Sequence, residues 1–553
     1  MLYPFLFKSK FLVKSILKKN PMDKYSGEID SYFNQFAKKY LLLCKKSQGN
    51  KSNGSVILIN SPLYMAYGLH MESLMGRFLE NLGFKIIFLT KYENKNLSDV
   101  IHKKIHGFSE VIYLQDFMSY TLPKEAQTIL STVMKMTTLS EIKQIRYKSI
   151  PIGLHALASY DGTLPTGDIS GNQEFFTQIF NNLKYSLMAA GAVEGILDKI
   201  RPLKVLSVEK SNIGNCELFY EAIHRGIDYV LWSSCHEPNS LMLKRYNVKN
   251  HRAHPFSVSE KTWFQVLTDR ADHTDVVHNI FKNGYLNGRW FEYKKLAADK
   301  VLLEKDEIIK KYGLDPVKKT AIIFSHILDD ANLFFGEDIF SNGFSEWLVK
   351  TVETAGENKN INWLLKLHPA NVYRRSFQAY SGEYGEILAV KEALGKVPDN
   401  IKVVLPDTDI NPYSFFQTAD YGVTVRGTVG AELPCFGIPV LTAGTGRYSN
   451  KGFTVDSDSV SAYLQKIKNI HDIAPLSKSE TALAVKHAWL FFIDRPAKYD
   501  TLMTDIFPYT TGHPLFRDIN MTDTNVFDNK QFLNIVRFIA FSTDEDFLSS
   551  RNY

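Results

Sequence analysis

Small residues, one carboxylate and several cations are interleaved in TVRGTVGAELPCFGIPVLTAGTGRYSNKGF, residues 424–453. Arg426 and Glu432 stand among closely spaced glycines. Glycines let a backbone approach a phosphate, and an arginine adds a charge-assisted contact. A carboxylate cannot bind phosphate, but it accepts hydrogen bonds from sugar hydroxyls. The mixture suits a phosphate joined to a polyol, as in a nucleotide sugar, and an ordinary strand-to-helix turn is the alternative.

The order of apolar and small residues predicts how this stretch folds. The run YGVTV is predicted to be a strand that ends at Arg426, and TVGAELPCFG a short helix stopped by Gly437 and Pro439. A helix start presents unpaired N–H groups, and Thr428 is placed to cap it. The segment does not match a G-x-x-x-x-G-K-[ST] loop or a convincing dinucleotide fingerprint. We assign the donor phosphate to Arg426, Gly427, Thr428, Val429 and Gly430, and a donor hydroxyl to Glu432.

A histidine ends another apolar run, in WLLKLHPAN. Pro369 forces extended geometry on His368, and an imidazole there can donate to a departing phosphate. Lys366 alternates with His368 on one strand face, where it could neutralise phosphate or remain solvated. A second such dipeptide, His254–Pro255, follows no predicted strand and is predicted to lie in a loop.

Strands and helices alternate in two successive parts of the chain. Such alternation predicts mainly parallel sheets covered by helices on both faces. The fold class is therefore α/β, with two Rossmann-like doubly wound domains facing a central cleft, where ligands bind at the carboxyl edges of strands. The predicted strands are 55–60, 85–90, 110–117, 204–210 and 228–234 in the first part, and 320–326, 361–369, 401–406, 421–427 and 438–444 in the second.

Charge and glycine–proline punctuation predict the domain boundaries. A charged helical pattern ends in GLDPVKK just before the second series of strands. We predict a basic, amphipathic helical segment at 1–50, an acceptor-binding domain at 51–315 and a nucleotide-sugar-binding domain at 316–480. Residues 481–553 are predicted to form a helical tail that packs back on the first domain.

Composition narrows the class of protein. The 553 residues are 44% hydrophobic and 22% charged, which is typical of globular chains, and a net charge of +6 is too mild for a nucleic-acid binder. The cysteines lack C-x-x-C spacing, which disfavours zinc sites and disulfides and fits a reducing cytosol. No apolar run approaches the roughly 20 residues that cross a bilayer. The basic N-terminus predicts either an interfacial helix on the inner membrane face or an ordinary packed helix.

Three motifs in fixed order carry a family resemblance. RGTVGAE, GIPV and YSNKGFT resemble the donor-site stretch of bacterial capsule polysaccharide biosynthesis proteins. WLLKLHPAN resembles the His-Pro motif of that family and of transferases that use CMP-activated acidic sugars, and NLFFGEDIFSNGFSEWL resembles the opening of the second domain. The resemblance covers about residues 200–460. Arg426–Gly427 depart from the family's more usual Ser-Ser pair.

This resemblance implies a Kdo-transferase-like glycosyltransferase of GT-B fold. The donor would be a CMP- or UDP-linked sugar, with CMP-linked Kdo favoured, and the acceptor a surface polysaccharide or its lipid-linked precursor. The resemblance implies no cofactor and no essential metal; Asp407-Thr-Asp409 matches an Asp-x-Asp motif only formally. A GT-B epimerase and a non-catalytic assembly or export partner remain alternatives.

The remaining site predictions concern the base and the two substrates. Asp161 shares the loop YDGTLPTGD with Asp168, resembles the acidic-Gly motif of CMP-sugar transferases and is the predicted base; a plain Asp-Gly turn is the alternative. Glu237 is a rival base, and Asp329 and Asp330 are further candidates for which a capping role is the alternative. The predicted acceptor ligands are Glu209, Lys210, Asn212, Lys244 and Arg245, and the further predicted donor ligands are Ser325, His326, Lys366, Tyr448 and Lys451.

Overall fold

Two β-sheets form the framework of the computed structural model. It describes residues 54–62, 66–160, 169–237, 240–286, 300–328, 335–372, 382–499 and 526–553. The predictions for the basic segment 1–50, for Asp161 and for Asp329 and Asp330 lie outside these residues. Within them, no helix has the length and hydropathy needed to span a bilayer.

The first sheet has seven strands in the order β12-β6-β5-β4-β1-β2-β3. Its first five strands in sequence are parallel and follow the 3-2-1-4-5 order of a doubly wound sheet, and β6 and β12 are antiparallel additions. The strands are β1 Val56–Asn60, β2 Lys85–Thr90, β3 Val111–Tyr113, β4 Lys204–Ser207, β5 Asp228–Ser234, β6 Ser240–Tyr246 and β12 Ala497–Lys498.

The second sheet has five strands, all parallel, in the order β11-β10-β7-β8-β9. Counted from β7, this is again 3-2-1-4-5, so the predicted α/β class with two doubly wound sheets is confirmed by the topology. The strands are β7 Thr320–Phe324, β8 Asn362–Lys366, β9 Ile401–Val404, β10 Tyr421–Thr424 and β11 Val440–Thr442.

Helices connect and cover both sheets. Those before β7 are α1 Ala66–Asn81, α2 Lys95–Ser98, α3 Lys124–Val133, α4 Leu139–Lys143, α5 Ile152–Ala158, α6 Gln173–Ile200, α7 Cys216–His224, α8 Glu260–Thr268, α9 Thr274–Leu286 and α10 Lys305–Tyr312. Those after it are α11 Gly343–Glu357, α12 Gly385–Leu394, α13 Pro412–Thr418, α14 Val429–Glu432, α15 Val460–Lys468, α16 Lys478–Trp489 and α17 Lys530–Phe541. Asp99–Ile105 and Leu490–Asp494 are π-helical.

The core lies on both faces of each sheet because the strands contain successive apolar residues, which alternate between the two faces. In β7, Ile323 packs into one face cluster and Ile322 into the other, and Leu365 and Leu364 of β8 divide in the same way. Burial of each such side chain contributes about 1.5 to 3 kcal/mol. A run buried on both faces is the signature of a parallel sheet, which explains why these strands could be predicted.

A buried ion cluster ties the C-terminal segment to the first sheet. Lys244 in β6 is 1% exposed, and its Nζ lies 2.8 Å from an oxygen of Asp546, which is itself fully buried. Arg495 lies 3.7 Å from the same oxygen. Arg245 pairs with Asp228 and donates to main-chain oxygens of α17. Two of the three predicted acceptor cations, Lys244 and Arg245, are therefore already paired inside the protein.

The charge on Asp546 depends on those two cations. Burial acts to raise the pKa of Asp546, but Lys244 and Arg495 outweigh it and hold the pKa well below its ordinary value. A carboxylate with a depressed folded-state pKa adds stability above its unfolded pKa, and that stability is lost as pH falls through the folded pKa.

We expect Asp546→Asn to lower the free energy of unfolding by about 3 to 5 kcal/mol at neutral pH, because two buried cations lose their counter-charge. The deficit should shrink below about pH 4, where the wild type begins to lose the same contribution. Urea unfolding followed by circular dichroism measures both. The control is Asp399→Asn, whose carboxylate pairs with Lys396 at the surface, where solvent screens the pair and its loss should change stability little. Equal losses in the two variants would contradict this account.

Candidate active site

The strand order of the second sheet reverses between the neighbouring strands β7 and β10, so the chain leaves these two strands towards opposite sides. We call this place the switch point. In a 3-2-1-4-5 sheet, ligands bind at the carboxyl edge beside this switch point. The strands are buried, and the chain becomes half-buried just past them, at residues 326–328, 368–369, 427–429 and 445–447. These four tips are the part of the edge that a ligand can reach, and they include the predicted residues His368, Gly427 and Thr428.

His326 bridges the switch point. Its Nε2 accepts the Val425 N–H at 3.2 Å and lies 3.0 Å from the Thr424 hydroxyl oxygen. Its ring stacks on Phe344, with centroids 4.2 Å apart. Burial, followed by the charges of His368 and Arg426, lowers the pKa of His326 well below its usual value. A neutral ring that accepts at Nε2 joins the ends of β7 and β10, and this predicted donor ligand therefore shapes the crevice.

Ser325 and the turn after β8 set the orientation of His368. The Ser325 hydroxyl oxygen accepts the His368 N–H at 2.9 Å, and the hydroxyl donates to Glu386 at 3.2 Å. The Ala370 N–H donates to His368 Nδ1 at 3.2 Å. An imidazole whose Nδ1 accepts a hydrogen bond carries its proton on Nε2, which is the form that can donate to an anion. Ser325 is 4% exposed and acts through His368.

The turn from β10 into α14 offers main-chain donors. The Gly427 N–H donates to the Thr424 hydroxyl at 3.2 Å, and the Gly427 carbonyl accepts the Tyr448 hydroxyl at 2.9 Å. The Thr428 side chain makes no capping hydrogen bond, contrary to the prediction. The N–H groups of Thr428 and Val429 donate to no group among the described residues. Because α14 is a single turn, these individual N–H groups matter more than a helix dipole.

Gly430 is required by Tyr448 rather than by a ligand. A Cβ at Gly430 would lie 2.1 Å from Tyr448 Cζ, and Tyr448 is fully buried. The ring fills the space beside α14 while its hydroxyl holds Gly427. The predicted short helix and its stop are confirmed, because α14 runs into a 3-10 turn, Leu433–Phe436, that ends at Gly437 with φ 76°. Gly430 and Tyr448, both predicted donor ligands, thus brace the turn from behind.

Arg426 is a buried cation beside this turn. It is 5% exposed and forms an ion pair with Asp338. Burial lowers its pKa to about 10, so the guanidinium stays charged at neutral pH. A Cβ at Gly446 would lie 2.8 Å from Arg426 Cβ, so the glycine at this position makes room for the arginine. Arg426 is therefore a charged group beside the turn that already has a carboxylate partner.

Glu432 and Lys366 face away from the tips. Glu432 is fully buried, and both its oxygens lie 3.0 Å from the Tyr285 hydroxyl, which donates to them. A sugar hydroxyl could reach Glu432 only by displacing Tyr285. Lys366 is 8% exposed, its Nζ lies 5.6 Å from the centroid of the Phe415 ring, and burial lowers its pKa to about 8. Lys451 Nζ lies 5.5 Å from the Trp263 ring, and burial lowers its pKa.

The predicted acceptor residues after β4 divide into two kinds. The Glu209 carboxylate accepts the N–H groups of Lys210 and Ser211 at 2.8 and 2.9 Å. Lys210 is 3% exposed, and its Nζ donates to the carbonyls of His251 and Ala253 at 2.7 and 3.2 Å. Burial lowers the pKa of Lys210 to about 7. Glu209 is half-buried and Asn212 is exposed, so both can be reached from solvent. Lys210 is buried and instead holds the loop that precedes His254 through these hydrogen bonds.

Two further residues of this region were missed from the sequence. His254 is 8% exposed, and its Nδ1 accepts the Phe256 N–H at 2.9 Å, which is the arrangement found at His368. Arg447 lies with its guanidinium 5.8 Å from the centroid of the Phe256 ring. The repeated His-Pro dipeptide was a signal for the first, and an arginine inside the glycine-rich stretch was a signal for the second.

Comparisons with known proteins gave structural matches alone. No protein-family model matches the sequence, and no curated protein matches it. Thermosulfurimonas dismutans KpsC, a beta Kdo 2,4 transferase, is 12% identical, with a TM-score of 0.34 over 61% of this chain and 87% of that one. A beta Kdo 2,7 transferase KpsC structure from the same organism is 15% identical, with a TM-score of 0.31 over 54% and 79%.

A structure with a different activity matches over more of the chain. The UDP-GlcNAc 2-epimerase from Neisseria meningitidis bound to UDP-GlcNAc is 10% identical, with a TM-score of 0.23 over 78% of this chain and 97% of that one. These identities and TM-scores are too low to establish an activity for the present chain. The α/β fold class rests on the strand order of the two sheets.

We expect Gly430→Ala to lower the free energy of unfolding by about 1 to 3 kcal/mol, because the new methyl group must displace the buried Tyr448 ring. Chemical denaturation measures the change. The matched control is Gly385→Ala in α12, where a Cβ meets nothing within 4 Å and should change stability by less than about 1 kcal/mol. A Gly430→Ala protein as stable as this control would show that the turn is not braced by Tyr448.

Proposed function

We propose that this protein is a metal-independent GT-B glycosyltransferase that moves a sugar from a nucleotide donor to a surface or capsular polysaccharide, or to its lipid-linked precursor. One observation carries the proposal: an imidazole with a protonated Nε2 and a turn with open N–H groups stand at the same carboxyl edge. His368 follows β8 and Gly427 follows β10, with β7 between them. Two strand spacings amount to about 9 to 10 Å, a gap that a nucleotide phosphate can bridge.

The chemistry required at this edge is stabilisation of the charge on a leaving phosphate. His368 Nε2–H donates to a phosphate oxygen, and the N–H groups of Thr428 and Val429 donate from the other side. Arg426, which is paired with Asp338, places a guanidinium beside the same turn. Donors fixed before the reaction need no reorganisation, and they are most effective where water is excluded. The bridge made by His326 supports this assignment, because it fixes the separation of the two sets of donors.

The donor that we favour is a CMP-linked acidic sugar such as Kdo, and a UDP-linked sugar is the alternative. The His-Pro resemblance supports the CMP-linked donor.

The transferase step needs a base on the acceptor hydroxyl, and we assign this role to Asp161 on the same resemblance. Glu209 and Asn212, at the carboxyl edge of the first sheet, are placed to contact the acceptor. We place the enzyme in the cytoplasm, with residues 1–50 contacting the inner membrane face.

We expect His368→Gln to lower kcat by about 100-fold or more, with a smaller change in KM, because the lost donor acts mainly on charge that develops in the transition state. The assay follows nucleotide release from a panel of CMP- and UDP-sugars with and without oligosaccharide acceptors and with EDTA. His471→Gln is the control, since His471 lies beyond the opposite end of the second sheet, beside Asn358 and Asn360.

The assay also separates the rival functions. Nucleotide release that depends on acceptor supports transfer, whereas a changed sugar that remains attached to its nucleotide would identify an epimerase. Absence of turnover with every donor would favour a non-catalytic binding partner. Full activity of His368→Gln would remove His368 from the donor site, and loss of activity in EDTA that is restored by a divalent cation would contradict metal independence.

A further inference from the structure

One arginine of the crevice differs from its neighbours in lacking an opposing charge. Arg252 pairs with Glu337, Arg426 with Asp338, and Arg495 lies beside Asp546. Arg447 forms no ion pair with a described residue, and its buried Nε has no hydrogen-bond partner there. Its guanidinium instead lies 5.8 Å from the centroid of the Phe256 ring and 5.6 Å from that of Phe491.

Two aromatic rings do not replace the missing partners of Arg447. A cation–π contact contributes roughly 0.5 to 2 kcal/mol, but it leaves the buried Nε–H of the guanidinium without an acceptor among the described residues. Buried polar groups without partners are rare in folded proteins and need an explanation. The rings hold the guanidinium plane in place, which is how a fork of N–H donors is oriented towards a carboxylate or phosphate.

His254 brings a second unused donor to the same place. Its ring centroid lies 5.3 Å from that of Phe256, the ring that Arg447 also contacts. Since Nδ1 accepts the Phe256 N–H, the neutral ring carries its proton on Nε2, and this N–H donates to no described group. Burial and then Arg447 and Arg426 lower the pKa of His254 well below its usual value, so the ring is neutral.

The loop that carries His254 is held firmly. Lys210 donates to the Ala253 carbonyl, and the Phe335 ring packs against the imidazole at a centroid distance of 5.1 Å. His254 belongs to the connection after β6 of the first sheet, whereas Arg447 follows β11 of the second. An anion between them would therefore contact both halves of the protein, and Arg447 lies in the half-buried tip 445–447 of the crevice edge.

We propose that Arg447 and His254 form a second anion-binding subsite, which takes a phosphate or carboxylate group of the acceptor. The arginine presents its fork of N–H donors and the histidine adds Nε2–H. The identity of the anion as an acceptor group rests on the proposed transferase function; the existence of the subsite does not. Its occupant adds the negative charge that Arg447 lacks.

The test measures anion binding at His254 in the full chain, without any sugar substrate. The protein is labelled with 13C at the histidine Cε1 positions, the His254 signal is assigned from its loss in His254→Gln, and inorganic phosphate and acetate are titrated separately. We expect a saturable shift of that signal with at least one anion. Arg447→Gln should weaken binding by about tenfold or more, the contribution of a charge-assisted hydrogen bond. Arg252→Gln, which removes a paired cation from the same region, should leave it unchanged.

Each result supports or overturns the subsite. Saturation by phosphate identifies a phosphate site, and saturation by acetate a carboxylate site. No saturable shift with either anion, or equal binding by the wild type and Arg447→Gln, would overturn it. Should Arg447→Gln fail to fold, Arg447→Lys keeps the charge, loses the fork and should still bind more weakly. Phosphate binding that is unchanged in His368→Gln separates this subsite from the donor site. If no sugar is transferred but the anion binds, the subsite stands and the transferase proposal fails.

Discussion

The hydrogen bonds that His326 makes across the switch point are the constraint on which the candidate site depends. At that point the main chains of β7 and β10 leave the sheet in different directions, so strand pairing no longer holds them together. The Val425 N–H and the Thr424 hydroxyl meet one imidazole nitrogen from the neighbouring strand. The loops after β7 and β10 can therefore diverge to form a crevice while the strand ends from which they start stay side by side. The hydrogen-bond donors at the tips of β8 and β10 then keep a fixed separation.

The fold was predictable from the sequence because parallel strands buried on both faces carry runs of consecutive apolar residues. YGVTV and WLLKL needed no knowledge of their neighbours to be recognised, and Gly437 marks its own helix end through a positive φ. The roles of single polar residues were harder to predict from the sequence, because they depend on contacts with distant parts of the chain. Lys244 resembles a surface cation until the carboxylate of Asp546 is seen beside it, and about three hundred residues separate the two. Gly430 resembles a phosphate-binding glycine until Tyr448 is placed against it.

The distinction between local and long-range contacts also explains what could be inferred from the sequence about His368 and His254. His368 was predicted as a site residue from its place at a strand end, and His254 was not, because no strand precedes it. Yet both rings accept an N–H from the residue two positions later, on the far side of the proline. A contact this local is available to any His-Pro-x segment, and it fixes the tautomer whether or not a strand leads into it. The loop predicted for His254–Pro255 is confirmed, but a preceding strand is not needed to fix the tautomer of its histidine.

The distribution of charge between the two halves argues for a crevice built around an anionic ligand. Arg252 and Arg426 meet carboxylates of the same short segment, Glu337 and Asp338, so their charges are balanced within the protein. Arg447 is not balanced in this way: burial lowers its pKa, and the opposing effects of Tyr448 and Glu432 are smaller. The oxygens of that carboxylate accept the Tyr285 hydroxyl, whereas the guanidinium is held between rings that cannot neutralise it. A protein could relieve this cost by exposing the arginine to water. Keeping it oriented and half-buried is favourable overall only if the opposing charge arrives with a ligand.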